Sequence, residues 1–263
     1  MKEATTALQQ QYRDSSNFRK RSALVVKFST NRYPWYHWVY EQFEPLSSAS
    51  VVLELGCGPG SLWKRNLDRI PPGSTIVVSD FSFGMLRDSG HNLGVNRSRF
   101  SLCQLDAAAL PFRNSSFETV VANMMFYHVE NRLAALRDIR CVLRQGGRFY
   151  ATTTGREYMR ELNAAAMQIL QIPRHTPSAE RFGLENGLEQ LRSVFSNVEI
   201  RRYQNELRVT EVQPLIDYFA SMEPFISPPA EKWKALREYL QNIISERGEI
   251  AIPIDVGMLI AHD

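Results

Sequence analysis

The sequence predicts an α/β fold in which a parallel sheet carries helices on both faces. Three observations lead there. Short apolar runs alternate with helical stretches between Val51 and Thr153. Turn punctuation, Pro71-Pro72-Gly73 and Gln145-Gly146-Gly147, separates them. The run VLELGCGPG, from Val52 to Gly60, passes straight from apolar residues into alternating glycines. That is the pattern of a strand turning tightly into a helix where backbone must approach a ligand. A length of 263 residues suits one large domain, or one domain with an insertion.

The elements follow in order. Residues 5–27 read as helix with a break near 14–17, and a second helix, opened by Pro34, covers 35–43. Strands are expected at 51–55, 75–79, 100–104, 119–123 and 147–153, with helices at 61–69, 83–93 and 132–143 between them. Beyond Thr153 the alternation loosens. Helices are expected at 157–170 and 184–195, a strand at 197–203, helices at 212–222 and 231–246, and one long final strand at 249–261. Residues 204–248 then form a helical insertion between two strands that pair as neighbours, the expected place of substrate recognition. Residues 1–45 form an N-terminal helical lid and 46–263 the main domain.

Composition narrows the function. A net charge of +3 is too small to argue for nucleic acid. Cys57, Cys103 and Cys141 are odd in number, far apart and without a C-x-x-C pair, which argues against a metal site or a disulfide framework. Reduced thiols fit a cytoplasmic protein. The start, MKEATTALQQQYRDSS, lacks the apolar core of a signal peptide, and no apolar run is long enough to span a membrane.

The glycines Gly56, Gly58 and Gly60 follow G-x-G-x-G, not the G-x-G-x-x-G of dinucleotide binders. Glu54 puts a carboxylate at the end of the first strand. It would repel a pyrophosphate and attract a cation. Asp80, twenty residues past Gly60, ends the second strand and suits the hydroxyls of a ribose. Asp106 ends the third, where a carboxylate accepts from an adenine amino group. A ribose, an adenine and a cationic amino-acid tail together describe S-adenosylmethionine.

The motifs ELGCGPG, SDFSFGML, DAAALPF, ANMMFYHV and LRQGGRFYATT stand in this order. Through them the chain resembles the class I S-adenosylmethionine-dependent methyltransferases. The resemblance implies a Rossmann-like seven-stranded sheet of order 3-2-1-4-5-7-6 with the last strand antiparallel. It implies S-adenosylmethionine as methyl donor and S-adenosylhomocysteine as product. Gly56, Gly58 and Gly60 would line the methionine and ribose, with Cys57 a small filler. Glu54 would reach toward the methionine amino group and Asp80 would bind the ribose. Phe81 and Met85 would flank the adenine, Asp106 and Ala107 would read its edge, and Asn123 would sit beside the methionine end.

Asn123-Met124-Met125-Phe126 replaces the D/N-P-P-Y/F motif of relatives that methylate DNA or protein amines. No Pro-Cys pair supplies a thiol for pyrimidine methylation. A small-molecule acceptor remains, methylated at O, N or C. FSTN with a W-x-x-W stretch, FGLENG, RVTE and IDYF are similar to a bacterial small-molecule subgroup, with Pro34 where its members carry glycine. Tyr33, Trp35, Tyr36, Trp38 and Tyr40 are crowded together. Trp35, Trp38 and Val39 share a helical face suited to packing, while Tyr33, Tyr36 and Trp38, with Tyr218 from the insertion, would form the substrate wall. The basic residues Arg13, Arg19, Lys20, Arg21, Lys27 and Arg32 read either as a solvated face or as a grip on an anionic acceptor.

His128, five residues past Asn123, is the candidate base, with Tyr127 beside it to orient substrate. Glu211 in RVTE either opens a helix capped by Thr210 or faces the reaction. The chain would act as a monomer or as a homo-oligomer joined through its N-terminal segment. Two other functions share the fold and cofactor: a cyclisation or isomerisation without methyl transfer, and a cofactor-binding subunit without catalysis.

Overall fold

The computed structural model describes residues 10–263 apart from 173–175, 223–224 and 226–227. Residues 1–9, the start of the first expected helix, lie outside the described part. The described residues fall into two compact units.

The larger unit comprises residues 33–156, 177–203 and 256–263. Its helices are α2 (Trp35–Glu41), α3 (Ser61–Arg65), α4 (Phe83–Leu93), α5 (Arg132–Val142), α7 (Ser178–Phe182) and α8 (Leu184–Arg192). Its strands are β1 (Val51–Leu55), β2 (Thr75–Asp80), β3 (Phe100–Gln104), β4 (Phe117–Asn123), β5 (Leu143–Thr154), β6 (Asn197–Tyr203) and β9 (Val256–His262). They form one sheet of order β3-β2-β1-β4-β5-β9-β6. The strands from β3 to β5 are parallel, and β9 runs antiparallel to both β5 and β6. This is the expected seven-stranded Rossmann-like topology.

Both faces of the sheet are covered, so alternate residues of a strand enter different cores. Leu53, Leu55, Val120, Ala122 and Phe149 pack with Leu136 and Ile139 of α5 and Leu184 of α8. Val52, Ile76, Val78 and Val121 pack with Val39 of α2, Trp63 of α3 and Leu86 of α4. Tight punctuation sets the ends. Ser82 caps α4, its side chain accepting from the Met85 amide at 3.2 Å. Asn131 caps α5 in the same way. Helix α3 is shorter than expected, because Asn66 turns its side-chain amide back onto the Leu62 carbonyl at 2.8 Å.

The smaller unit gathers residues within 1–32, 157–176 and 204–255. It holds α1 (Ser16–Phe28), α6 (Arg160–Leu170), β7 (Glu206–Val209), α9 (Val212–Ala220), α10 (Ala230–Arg247) and β8 (Ile250–Pro253). Two corrections to the sequence reading belong here. The expected final strand is two strands in two sheets: β8 pairs antiparallel with β7, and β9 joins the large sheet. Pro253 has no amide to extend the ladder, and Ile254 donates instead to the Asn205 carbonyl at 3.2 Å. The expected helical insertion also contains β7, whose four residues were too few to show a period. Residues 16–32 join the insertion, with Thr30 donating to the Glu206 carbonyl at 2.9 Å, while α2 packs in the larger unit.

Candidate active site

The site stands at the carboxyl ends of β1, β2, β3 and β4, which parallel pairing brings to one edge of the sheet. Gly56, Gly58 and Gly60 all adopt positive φ, at 61°, 53° and 72°. Two of them are confined as well as left-handed. A side chain at Gly56 would meet Met125, and one at Gly60 would lie 2.5 Å from Ser89 Oγ of α4. At Gly58 a side chain would meet only open space. The loop is anchored from β2: the Cys57 amide donates to the Ser79 carbonyl at 2.8 Å.

Asp80 completes the anchor. Its two carboxylate oxygens accept from the Gly58 amide at 2.9 Å and the Ser82 amide at 2.8 Å. Burial nevertheless raises its pKa, against the lowering effect of those two bonds. Glu54 is 1% exposed and accepts from the Trp63 indole N–H at 2.7 Å. Burial pushes its pKa up to about 8. The Trp63 bond opposes that shift and the neighbouring Asp80 charge adds to it. Cys57 lies in the same buried, acid-flanked environment, which drives its thiol well above the ordinary range; it is a packed thiol and no nucleophile.

Tyr36 of α2 stands beside this loop. Its hydroxyl bonds with Ser61 at the start of α3, and burial pushes its pKa up to about 12, with the Glu54 charge contributing. It therefore remains a hydroxyl donor through the physiological range. On the other side of Asp80, Phe81 is 48% and Phe83 68% exposed. Gln104 holds the turn by donating to the Phe81 carbonyl at 2.9 Å. Asp106 is exposed and folds its own loop, accepting from the Ala108 amide at 2.8 Å, and Ala107 beside it is buried. The end of β4 is fixed by Thr152, which donates to Asn123 at 2.7 Å and accepts from the Met124 amide at 2.9 Å. Met124 is held left-handed, at φ 55°, a conformation that a side chain of this kind rarely adopts.

The family model described as a methyltransferase domain matches residues 53–151, the stretch that builds these strand ends. The chain carries a class I S-adenosylmethionine-dependent methyltransferase domain. A malonyl-[acyl-carrier protein] O-methyltransferase of Legionella pneumophila is 31% identical over 114 residues, 43% of this chain and 39% of that protein. The ubiquinone/menaquinone biosynthesis C-methyltransferase UbiE of Coxiella burnetii is 31% identical over 105 residues, 39% of this chain and 42% of that protein. The chain thus spans less than half the length of these two relatives. Among solved structures, a Haemonchus contortus phosphoethanolamine N-methyltransferase 2 matches with a TM-score of 0.60 at 16% identity. The match covers 98% of this chain and 59% of that one, which was solved with phosphomonomethylethanolamine and S-adenosylhomocysteine.

Within the methyltransferase domain, His128 and Tyr127 lie in a single 3-10 turn, Phe126–His128, directly after β4. Their rings are 4.6 Å apart, and the His128 amide donates to the Met125 carbonyl at 2.9 Å. Other expected positions fall elsewhere. Met85 is 1% and Phe83, which the sequence reading passed over, 68% exposed in the first turn of α4. Trp38 stacks on Trp35 at 5.3 Å and tilts against Tyr203 at 5.4 Å, the packing role. Tyr33 bonds Glu41, which also pairs with Arg69 at 3.1 Å.

Two expected residues belong to the smaller unit. Glu211 itself occupies the cap position of α9, in place of Thr210, and its carboxylate pairs with Lys27 at 2.7 Å. Tyr218 is buried, bonded to the Tyr158 hydroxyl. The basic cluster is largely engaged by its own unit. Arg19 donates to Ser15 at 2.6 Å, and Arg21 to the Ser221 carbonyl at 2.8 Å while lying over the Tyr12 ring. Among the described residues no group of His, Cys, Asp or Glu is arranged to hold a metal ion, and no helix is long and apolar enough to cross a membrane.

Proposed function

We propose that the protein transfers the methyl group of S-adenosylmethionine to a small-molecule acceptor. The observation that carries this reading is the set of three carboxylates, Glu54, Asp80 and Asp106, on adjacent strand ends around a left-handed glycine turn. Their chemistry fits the cofactor. The buried Glu54 carboxyl complements its cationic amino-acid end. Asp80 keeps lone pairs beyond the two it gives to backbone amides, enough to accept from ribose hydroxyls. Phe81 and Phe83 offer exposed rings for the adenine, and Asp106 with the Ala107 backbone reads its edge.

The bound cofactor supplies an electrophilic methyl group on a good leaving group. The chain's task is then to orient the acceptor in line with that methyl group and exclude water. Asn123 and Tyr36 are assigned to the methionine end, and Tyr127 to acceptor orientation. His128 takes the acceptor's proton where the nucleophile carries one. Residues 16–32 and 204–255, outside the matched segment, are assigned to acceptor choice, and the aromatic Tyr33 to its approach.

The test is turnover of methyl-labelled S-adenosylmethionine with a metabolite extract. The reading expects labelled product and S-adenosylhomocysteine in equal amounts. Conversion of an acceptor with the cofactor returned intact would identify a non-methylating enzyme instead.

A further inference from the structure

Trp63 lay outside every sequence motif, yet it makes a direct polar contact with Glu54. Its ring is fully buried, and its indole N–H is aimed at Glu54 Oε2, 2.7 Å away. A buried indole N–H needs an acceptor, and the one it has here is the buried Glu54 carboxyl. The indole is a fixed neutral donor that cannot titrate, so it supports the carboxylate without neutralising it. Among the described residues the titratable groups acting around Glu54 are Asp80, the Cys57 thiol and the Tyr36 hydroxyl, with the Arg65 charge acting on Tyr36. Glu54 is therefore a buried acid with one neutral donor and an acidic neighbour.

We infer that Trp63 is a positioning residue that holds Glu54 ready to ionise, so that cofactor capture is coupled to release of one proton from the Glu54 carboxyl. The inference rests on the proposed cofactor reading. In the free protein near pH 6.5 Glu54 carries a proton, since burial pushes its pKa up to about 8. Arrival of an ammonium group beside it favours the carboxylate. The carboxyl O–H bond breaks, the proton leaves to buffer, and the electron pair stays on the carboxylate, which the indole and the ammonium then both stabilise. Nothing else is consumed.

The experiment uses the full chain and S-adenosylhomocysteine, whose amino-acid end carries the same ammonium. Calorimetry at pH 6.5 in buffers of different ionisation enthalpy counts the protons released on binding. In parallel, nuclear magnetic resonance follows the indole N–H signal of Trp63, assigned by its loss in Trp63→Phe. The inference expects close to one proton released per ligand. It expects the Trp63 signal to titrate around pH 8 in the free protein and to move, at pH 6.5, to its high-pH position when ligand binds. Glu54→Gln should abolish both the proton release and the titration. Trp63→Phe should bind at least about tenfold more weakly at pH 6.5, where the unsupported carboxyl resists ionisation.

Binding with no proton released, or a Trp63 signal indifferent to pH and ligand, would overturn the coupling while leaving the cofactor reading intact. Failure to bind S-adenosylhomocysteine at any pH would instead defeat the cofactor reading itself. If Trp63→Phe does not fold, the Trp63 signal is assigned by elimination from Trp35→Phe, Trp38→Phe and Trp233→Phe, and its titration in wild type against Glu54→Gln then decides the matter.

Discussion

Replacing Asp80 by asparagine separates binding from loop architecture. In the structure both carboxylate oxygens already serve the fold, one on the Gly58 amide at 2.9 Å and one on the Ser82 amide at 2.8 Å. Asparagine has a single acceptor oxygen, so its NH₂ group must face one of those amides. A buried donor left without a partner costs about 1–3 kcal/mol, which should appear as lower stability in urea. The binding loss is separate. Two ribose hydroxyls that donated to a charged acceptor lose it, at a cost of roughly 2–4 kcal/mol. Calorimetry with S-adenosylhomocysteine should then show affinity reduced about thirtyfold or more. An Asp80→Asn protein that folds and binds within about threefold of wild type would refute the reasoning, because the carboxylate would then belong to the turn alone.

The other expectations are as follows. Gly60→Ala forces a Cβ against Ser89 in a left-handed turn, so urea unfolding should show a loss of about 1–3 kcal/mol; unchanged stability means the turn relaxes freely. Glu54 has a folded-state pKa above its unfolded value. Its contribution to the stability of the unliganded protein should therefore be fully present below the ordinary carboxylate range and be lost, by at most roughly 5 kcal/mol, as pH rises through about 8. Denaturation across that range should show the slope in wild type and a flatter curve in Glu54→Gln; equal slopes would assign it elsewhere. His128→Ala should lower turnover by roughly 10²–10⁴-fold and remove the rising limb of the pH–rate profile, with cofactor affinity nearly intact. A loss below about tenfold would leave positioning alone to drive the chemistry. Hydrogen exchange across α1 and α9 should slow when acceptor and cofactor product are both bound; indifference there removes the acceptor role from those helices.

The sheet was legible because its signals are local and repeated. VVLEL, TIVVSD and FETVVAN are apolar on both faces, as strands covered on both sides must be. The last two end on a polar residue and the first carries Glu54 one residue before its end, and the parallel register brings these ends to one edge. Glycine spacing and the acids at the strand ends therefore marked Glu54, Asp80 and Asp106 as candidates without coordinates. The aromatic segment was less legible, since helical spacing alone does not say which rings pack. Trp35 and Trp38 meet Tyr203, some 165 residues on, a partner that no local pattern announces. Spacing alone did not show that the first turn of α4 presents Phe83 outward and Met85 inward. The broken final strand turned on Pro253 and on pairing with four residues, Glu206–Val209, too short a run to carry an alternation. Trp63 was invisible as a functional residue, because a tryptophan one turn into a helix reads as core until its N–H is seen to point at Glu54.

The central claim is that these strand ends hold S-adenosylmethionine, and a crystal structure of the full chain with S-adenosylhomocysteine tests it most directly. The account predicts the ligand's amino group beside Glu54, its ribose hydroxyls on Asp80, and its adenine between the Phe81–Phe83 turn and Asp106. A ligand bound elsewhere on the chain, or bound at these strand ends with its ribose away from Asp80 and its amino group away from Glu54, would contradict it.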